Sequence, residues 1–138
     1  MDIINDVIIL AARVFLAALF VIFGWRKVMD YPGTVKQMAQ DGLPAPALAA
    51  AVAIFMEVAV ALAVAVGAFT RIATVLMALY TLATSLVEHR YWAKPRGGQL
   101  ESMESFYKNL SIMGGFLLLY ITGAGRYSID VLCGIATP

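Results

Sequence analysis

Residues 4–25, INDVIILAARVFLAALFVIFGW, and residues 46–67, PALAAAVAIFMEVAVALAVAVG, decide the fold. Each has the length of about 20 residues that an α-helix needs to cross a hydrocarbon core of about 30 Å. Each also carries a charged residue near its middle, Arg13 in the first and Glu57 in the second. Two further stretches, residues 70–88 and 106–123, come close to the same length, the last being the shortest and interrupted by Gly114-Gly115. Pro44 and Pro46 stand where a helix start tolerates proline.

Composition agrees. Hydrophobic residues make up 62% of the 138 residues, well above the roughly 45–50% of soluble globular domains, and mean hydropathy is +0.83. Charged residues are only 14% and cluster between the apolar runs instead of forming one polar face along each run. The expectation is an all-α integral membrane protein: an antiparallel four-helix bundle, spans at about 4–25, 46–67, 70–88 and 106–123, in a single domain over 1–138.

The connection between the second and third spans is only Gly67-Ala68-Phe69 before Thr70-Arg71, so these two spans form an antiparallel hairpin. The two longer connections hold most of the polar residues and the turn signals Tyr31-Pro32-Gly33, Gly42-Leu43-Pro44 and Lys94-Pro95-Arg96-Gly97-Gly98. Val35 to Gln40, between two of these turns, suits a short interfacial helix. Arg26, Lys27, Lys36, Arg90, Lys94, Arg96 and Lys108 lie in or beside the long connections, against Arg71 and Arg126 on the other side. That asymmetry places the long connections in the cytoplasm and both termini in the periplasm. Trp25, Tyr31, Tyr91, Trp92 and Tyr107 fall at the cytoplasmic ends of spans, where aromatic anchors belong. The first apolar run begins with Asp2 and Asp6 and leads into Trp25-Arg26-Lys27 without a small-residue cleavage site, so it reads as a retained span and not as a signal peptide.

Several functions are set aside. A net charge of +1 with no basic cluster interleaved with aromatics excludes nucleic acid as a partner. A single cysteine, Cys133, cannot form an internal disulfide or a redox pair and reads as a small apolar thiol. His89 is the only histidine, which rules out a haem held by two histidines of this chain, and no metal-ligand spacing is present. Gly123-Ala124-Gly125-Arg126 follows no strand and does not continue as a dinucleotide-binding loop. No covalent cofactor is expected, and electrons for any redox reaction would come from outside the chain.

The chemistry therefore rests on Arg13 and Glu57. Counted from the ends of their spans both lie near mid-bilayer, where a lone charge costs at least about 2.5–3.5 kcal/mol, so the two are expected to meet inside the bundle. Such a pair is either a functional site or only a device that fixes helix register. At three- and four-residue spacing Arg13 continues through Ala17, Phe20, Gly24 and Lys27; Glu57 shares a face with Ala50, Ala53, Ala61 and Val64. The third span offers Thr74, Met77, Thr81, Ser85 and Glu88 with His89 just beyond; the fourth offers Lys108, Ser111, Gly115 and Thr122. Together these faces suggest a polar seam: Arg13 and Glu57 deep, Thr81 and Ser85 partway, then Lys27, His89, Lys108 and Asn109 at the cytoplasmic mouth. A seam of this kind suits a lipid-soluble quinone, whose carbonyls need donors and whose reduction takes up protons. The bland reading is that the hydroxyls bond back to their own helices and the charges only reach for the headgroups.

The residues also match a known family. An arginine in the first span (Arg13), Phe23-Gly24-Trp25-Arg26-Lys27 at its end, Gly42-Leu43-Pro44, Glu57, the Gly67-Ala68-Phe69-Thr70-Arg71 hairpin, His89, Lys108-Asn109-Leu110, Gly114-Gly115 and the closing Gly123-Ala124-Gly125-Arg126-Tyr127-Ser128-Ile129-Asp130 occur in order. In these features the chain resembles the DoxX family of small four-helix membrane proteins of bacteria. The resemblance implies a bacterial cytoplasmic (inner) membrane location and a prior on quinone-linked redox work, because the family is named after the small subunit of a thiosulfate:quinone oxidoreductase. It also implies links to oxidative stress, although relatives that handle disulfides need paired cysteines and this chain has one. The leading expectation is a membrane subunit of a quinone-linked oxidoreductase. Arg13 and Glu57 are its deep site, and Lys27, His89, Asn109, Thr81 and Ser85 line the quinone or proton path. The alternative is a non-catalytic membrane anchor or assembly partner of a redox or stress-response complex. Expected partners are the lipid bilayer, a membrane quinone, and either a redox subunit or a second copy of the chain.

Overall fold

The computed structural model describes residues 2–138. These form α1 (Ile3–Met29), α2 (Tyr31–Gln40), α3 (Pro46–Ile54), a π-helical turn (Phe55–Val60), α4 (Ala61–Val66), α5 (Thr70–Val87), a 3₁₀ turn (Tyr91–Ala93), α6 (Arg96–Thr122) and the short α7 (Ile129–Leu132). Among the described residues there is no strand. The three segments α3, the π turn and α4 run on as one rod, so the molecule has four long helical rods: α1, the α3–α4 rod, α5 and α6. Each of the first three is long and apolar enough to cross a bilayer, over Ile3–Met29, Pro46–Val66 and Thr70–Ala93. This is an all-helical membrane protein.

The ends of the elements follow local chemistry. Asp2 caps α1 by accepting the Asn5 amide at 3.0 Å, as a carboxylate at a helix start should. Asp30 closes α1 and opens α2, accepting the Gly33 amide at 3.1 Å. The Tyr31-Pro32-Gly33 signal is therefore the first turn of α2, with proline where it is tolerated, and the interfacial helix is longer than the expected residues 35–40. The hairpin needs left-handed backbone at Gly67 (φ 74°) and also at Phe69 (φ 47°).

Two boundaries differ from expectation. The first helix overruns residue 25 by a turn, ending at Met29. The last begins at Arg96 and not near residue 106, because Pro95, in extended backbone, starts a helix readily and Gly97-Gly98 fall in its first turn. The inward face of α6 also differs. Ser102, Phe116 and Leu119 are buried, whereas Lys108 and Ser111 are exposed.

The other three rods bury the faces read from the sequence. Arg13, Ala17, Phe20 and Gly24 point inward from α1, and Ala50, Ala53, Glu57, Ala61 and Val64 from the second rod. Thr74, Met77, Thr81 and Ser85 do so from α5. The core is closed by Phe20 of α1 against Phe116 of α6, ring centroids 5.8 Å apart. α5 packs on α6 and on the second rod, and α1 packs on the second rod and on α6, which makes a four-membered ring of rods.

Candidate functional site

The expected ion pair between Arg13 and Glu57 does not form. The register between α1 and the second rod explains why. Gly24 lies directly against Glu57: a Cβ at Gly24 would overlap the Cβ of Glu57 and the side chain of Val58. With antiparallel rods, this contact sets Lys27 beside Glu57 and carries Arg13, fourteen residues earlier and about 21 Å along the axis, to the level of the 67–70 hairpin. Counting from the ends of the two apolar runs assumes that the runs start level, whereas the first turns of α1 pass the hairpin and pack beside the C-terminal segment.

Two separate polar centres result. At the hairpin end the Arg13 guanidinium, 1% exposed, donates to the carbonyls of Ala124 and Tyr127 at 2.5 Å each. Asp130 accepts the amides of Phe69 at 2.6 Å and Thr70 at 2.8 Å, so it caps α5 from across the molecule, and its own amide donates to the Gly67 carbonyl at 2.8 Å. Asp6 accepts the Arg126 amide at 3.2 Å. Gly67 is required twice here, by its positive φ and because a Cβ would strike Arg13 and Ser128. Nearly all partners are backbone groups. This centre is a clamp that ties the C-terminal segment to α1 and to the hairpin.

At the other end the partners are side chains. Glu57 sits in the π turn, 6% exposed. It accepts from Lys27 Nζ at 2.8 and 3.1 Å and from the Tyr80 hydroxyl at 2.5 Å. π turns inside α-helices often occur at functional sites. Lys27 is about a quarter exposed, so the cluster is dry on one side and wet on the other. Tyr80 was not foreseen. Its signal was available: a phenol in the middle of an apolar span is away from the interfacial belt and needs a polar partner.

Two cavities adjoin the cluster. A polar one of about 630 Å³ lies among α1, α2, the 88–98 connection and the start of α6, lined by Lys27, Asp41, Glu88, His89, Lys94 and Ser102 among others. An apolar one of about 330 Å³ lies under α2 between α3 and α5. Leu43, Leu48, Val52 and Ala53 line it, and Tyr80, Thr84 and Glu88 form a polar stripe at four-residue spacing. Leu48 and Val52 at its rim are exposed on the apolar exterior.

The remaining expected site residues divide. Lys27 joins Glu57, and His89 lines the polar cavity with Lys27. Thr81 bonds back to the Met77 carbonyl at 2.7 Å and Ser85 to the Thr81 carbonyl at 2.8 Å, with Asn109 donating to Ser85 at 3.0 Å. Of these bonds the one from Asn109 to Ser85 ties α5 to α6, and none of the three residues bonds to Glu57. The continuous seam from Arg13 to the mouth is therefore broken into two centres.

The sequence model of the DoxX family matches residues 8–90, which include Arg13, Lys27, Glu57 and Tyr80. The chain belongs to the DoxX family. It is 45% identical over 126 residues to the inner membrane protein YphA of Escherichia coli, covering 91% of this chain and 90% of the relative. It is 39% identical over 128 residues to the inner membrane protein YqjF of the same organism, covering 93% of each. A shorter match, 34% identical over 65 residues, links it to the ER-derived vesicles protein ERV29 of Saccharomyces cerevisiae, over 47% of this chain and 21% of that protein. No solved structure matches.

Proposed function

We propose that this DoxX protein is an inner-membrane subunit of a quinone-linked redox system, with the apolar part of α6 as a fourth span and both termini in the periplasm. The Lys27–Glu57–Tyr80 cluster is its proton site. The observation that carries the reading is the position of this cluster between a lipid-facing apolar cavity and a polar cavity.

The residues suit such a ligand. The apolar walls at Leu43, Leu48, Val52 and Ala53 accept a lipophilic ring and chain, and among the described residues the polar edge is the Tyr80–Thr84–Glu88 stripe. A bound quinone would supply two-electron chemistry coupled to protons, with electrons from a separate donor subunit. Tyr80 lines the cavity, and its hydroxyl, which donates to Glu57, passes a proton between the ligand and that carboxylate. Lys27 balances the charge of Glu57 and connects it to the polar cavity. Arg13 and Asp130 hold the far end of the bundle and touch neither cavity.

The test is solvent extraction and mass spectrometry of the gently purified protein. A stoichiometric quinone is expected in the unmodified protein, lost in Ala49→Trp, which fills the apolar cavity, and kept in Leu118→Trp on the α1–α6 face. Lipid alone, together with a co-purifying protein, would replace this reading with that of a non-catalytic anchor or assembly partner.

A further inference from the structure

One carboxylate belongs to both cavities. Glu88 lines the polar cavity with Lys27, His89 and Lys94 and the apolar cavity with Tyr80 and Thr84; among the described residues Met38 of α2 is the only other one that lines both. Its placement is unfavourable by ordinary rules. Glu88 is the C-cap of α5, where the helix dipole presents its negative end and a cation is the stabilising choice. Among the described residues its carboxylate has no hydrogen-bond or ion-pair partner, although it is only partly exposed. The charges around it come from four elements, two of each sign: Lys27 of α1, Glu57 of the π turn, Asp41 after α2, and Lys94 of the following connection, with His89 next to it in sequence. A half-buried acid with no structural bond to make, standing in the partition between a wet and a dry chamber, has the position of a proton carrier.

We infer that Glu88 moves protons between the two cavities. As the carboxylate it takes a proton from water in the polar cavity; as the acid it releases that proton to a base in the apolar cavity and returns to the carboxylate, with no change in electron count. On the quinone reading proposed above, that base is a ligand oxygen, and Glu88 supplies one proton while the Tyr80–Glu57 pair supplies the other. The dual access of Glu88 does not require that reading.

Carbodiimides test the access directly, because they react with the protonated carboxyl and leave a stable acyl adduct on it. The protein in its native membrane vesicles is treated with lipophilic dicyclohexylcarbodiimide, and in parallel with a water-soluble carbodiimide plus glycine ethyl ester; peptides are then mapped by mass spectrometry. Glu88 is expected to carry both labels, with the lipophilic label rising as pH falls. Glu101 and Glu104 are expected to carry only the water-soluble one, and Glu88→Gln to lose both labels from that peptide while Glu101 and Glu104 keep theirs. Labelling of Glu88 from water alone, or from lipid alone, at every pH overturns the inference. Quinone extraction on the same vesicles separates the two proposals. Dual labelling without quinone keeps the proton carrier and removes the quinone, whereas bound quinone with one-sided labelling does the reverse.

Discussion

The two ends of the bundle solve the same problem, charge inside an apolar protein, in opposite ways. At the hairpin end Arg13 and Asp130 spend their hydrogen bonds on backbone: two carbonyls for the guanidinium, two amides for the carboxylate. Backbone partners cannot titrate or move away, so a centre made from them is rigid and has one state. At the other end Lys27, Glu57 and Tyr80 spend theirs on each other. Every partner there can gain or lose a proton or change rotamer, and two cavities give it somewhere to turn. A buried charge is thus better judged by what it bonds to than by how deep it lies.

The sharpest way to break this contrast is at the clamp. Arg13→Leu removes both bonds to the C-terminal segment and leaves the Ala124 and Tyr127 carbonyls without their donor, a loss of about 3–6 kcal/mol at about 1.5–3 kcal/mol for each bond to a charged group. Thermal unfolding in detergent, followed by circular dichroism, should show the largest drop of any single change considered. A small drop would mean that the clamp is not structural. Asp130→Ala should come next at about 2–3 kcal/mol, since the buried Thr70 amide and that of Phe69 lose their acceptor. Asp130→Asn, which keeps an acceptor oxygen, should recover part of it.

A smaller effect is expected where the second centre depends on packing. Gly24→Ala puts a methyl group into Glu57 and Val58, and overpacking of this kind costs about 1–3 kcal/mol. Its diagnostic feature is selectivity. The π turn must shift, so the Lys27–Glu57 contact and any bound ligand should be lost while the Arg13 clamp, a helix length away, stays intact. Protection of the Phe69 and Thr70 amides from hydrogen exchange reads the clamp; ligand retention reads the cluster.

The legibility of the two centres in the sequence differs for a physical reason. Period 3.6 identified the main buried stripe of α1, the second rod and α5, because small and apolar residues repeat there at helical spacing, but it left out Asp6, Val60, Thr70, Ala73 and Ala78, which are buried as well. On α6 it succeeds only at Gly115, which packs against Leu16; Lys108, Ser111 and Thr122 are exposed, and Phe116 and Leu119 occupy the inward face. In a membrane helix both faces are apolar, and a polar residue near a helix end can as easily reach for the headgroups. Pairing was not legible at all. Which charge meets which depends on axial register, and register is set by Gly24 against Glu57, a contact that hydropathy does not encode. Asp130 was legible only as part of a family-like closing motif, since nothing local shows that it caps a helix sixty residues away. Tyr80 could have been found by asking why a phenol stands in mid-span.

The smallest stability change and the most informative one coincide at Tyr80. Tyr80→Phe deletes a single hydroxyl bonded to Glu57 at 2.5 Å, a loss of about 1 kcal/mol or less, because the carboxylate keeps both contacts to Lys27. Glu57→Gln should cost little more, since Lys27 is partly exposed and can turn to the polar cavity. If the cluster only sets helix register, both variants should behave like the unmodified protein in every assay, including quinone content and quinone-dependent turnover in vesicles. If it is the proton site, both should unfold near the original temperature yet lose most of that turnover. Arg13→Lys offers the reverse comparison: it retains a cation at the clamp with fewer donors, and should lower the unfolding temperature while the activity of the folded fraction is unchanged.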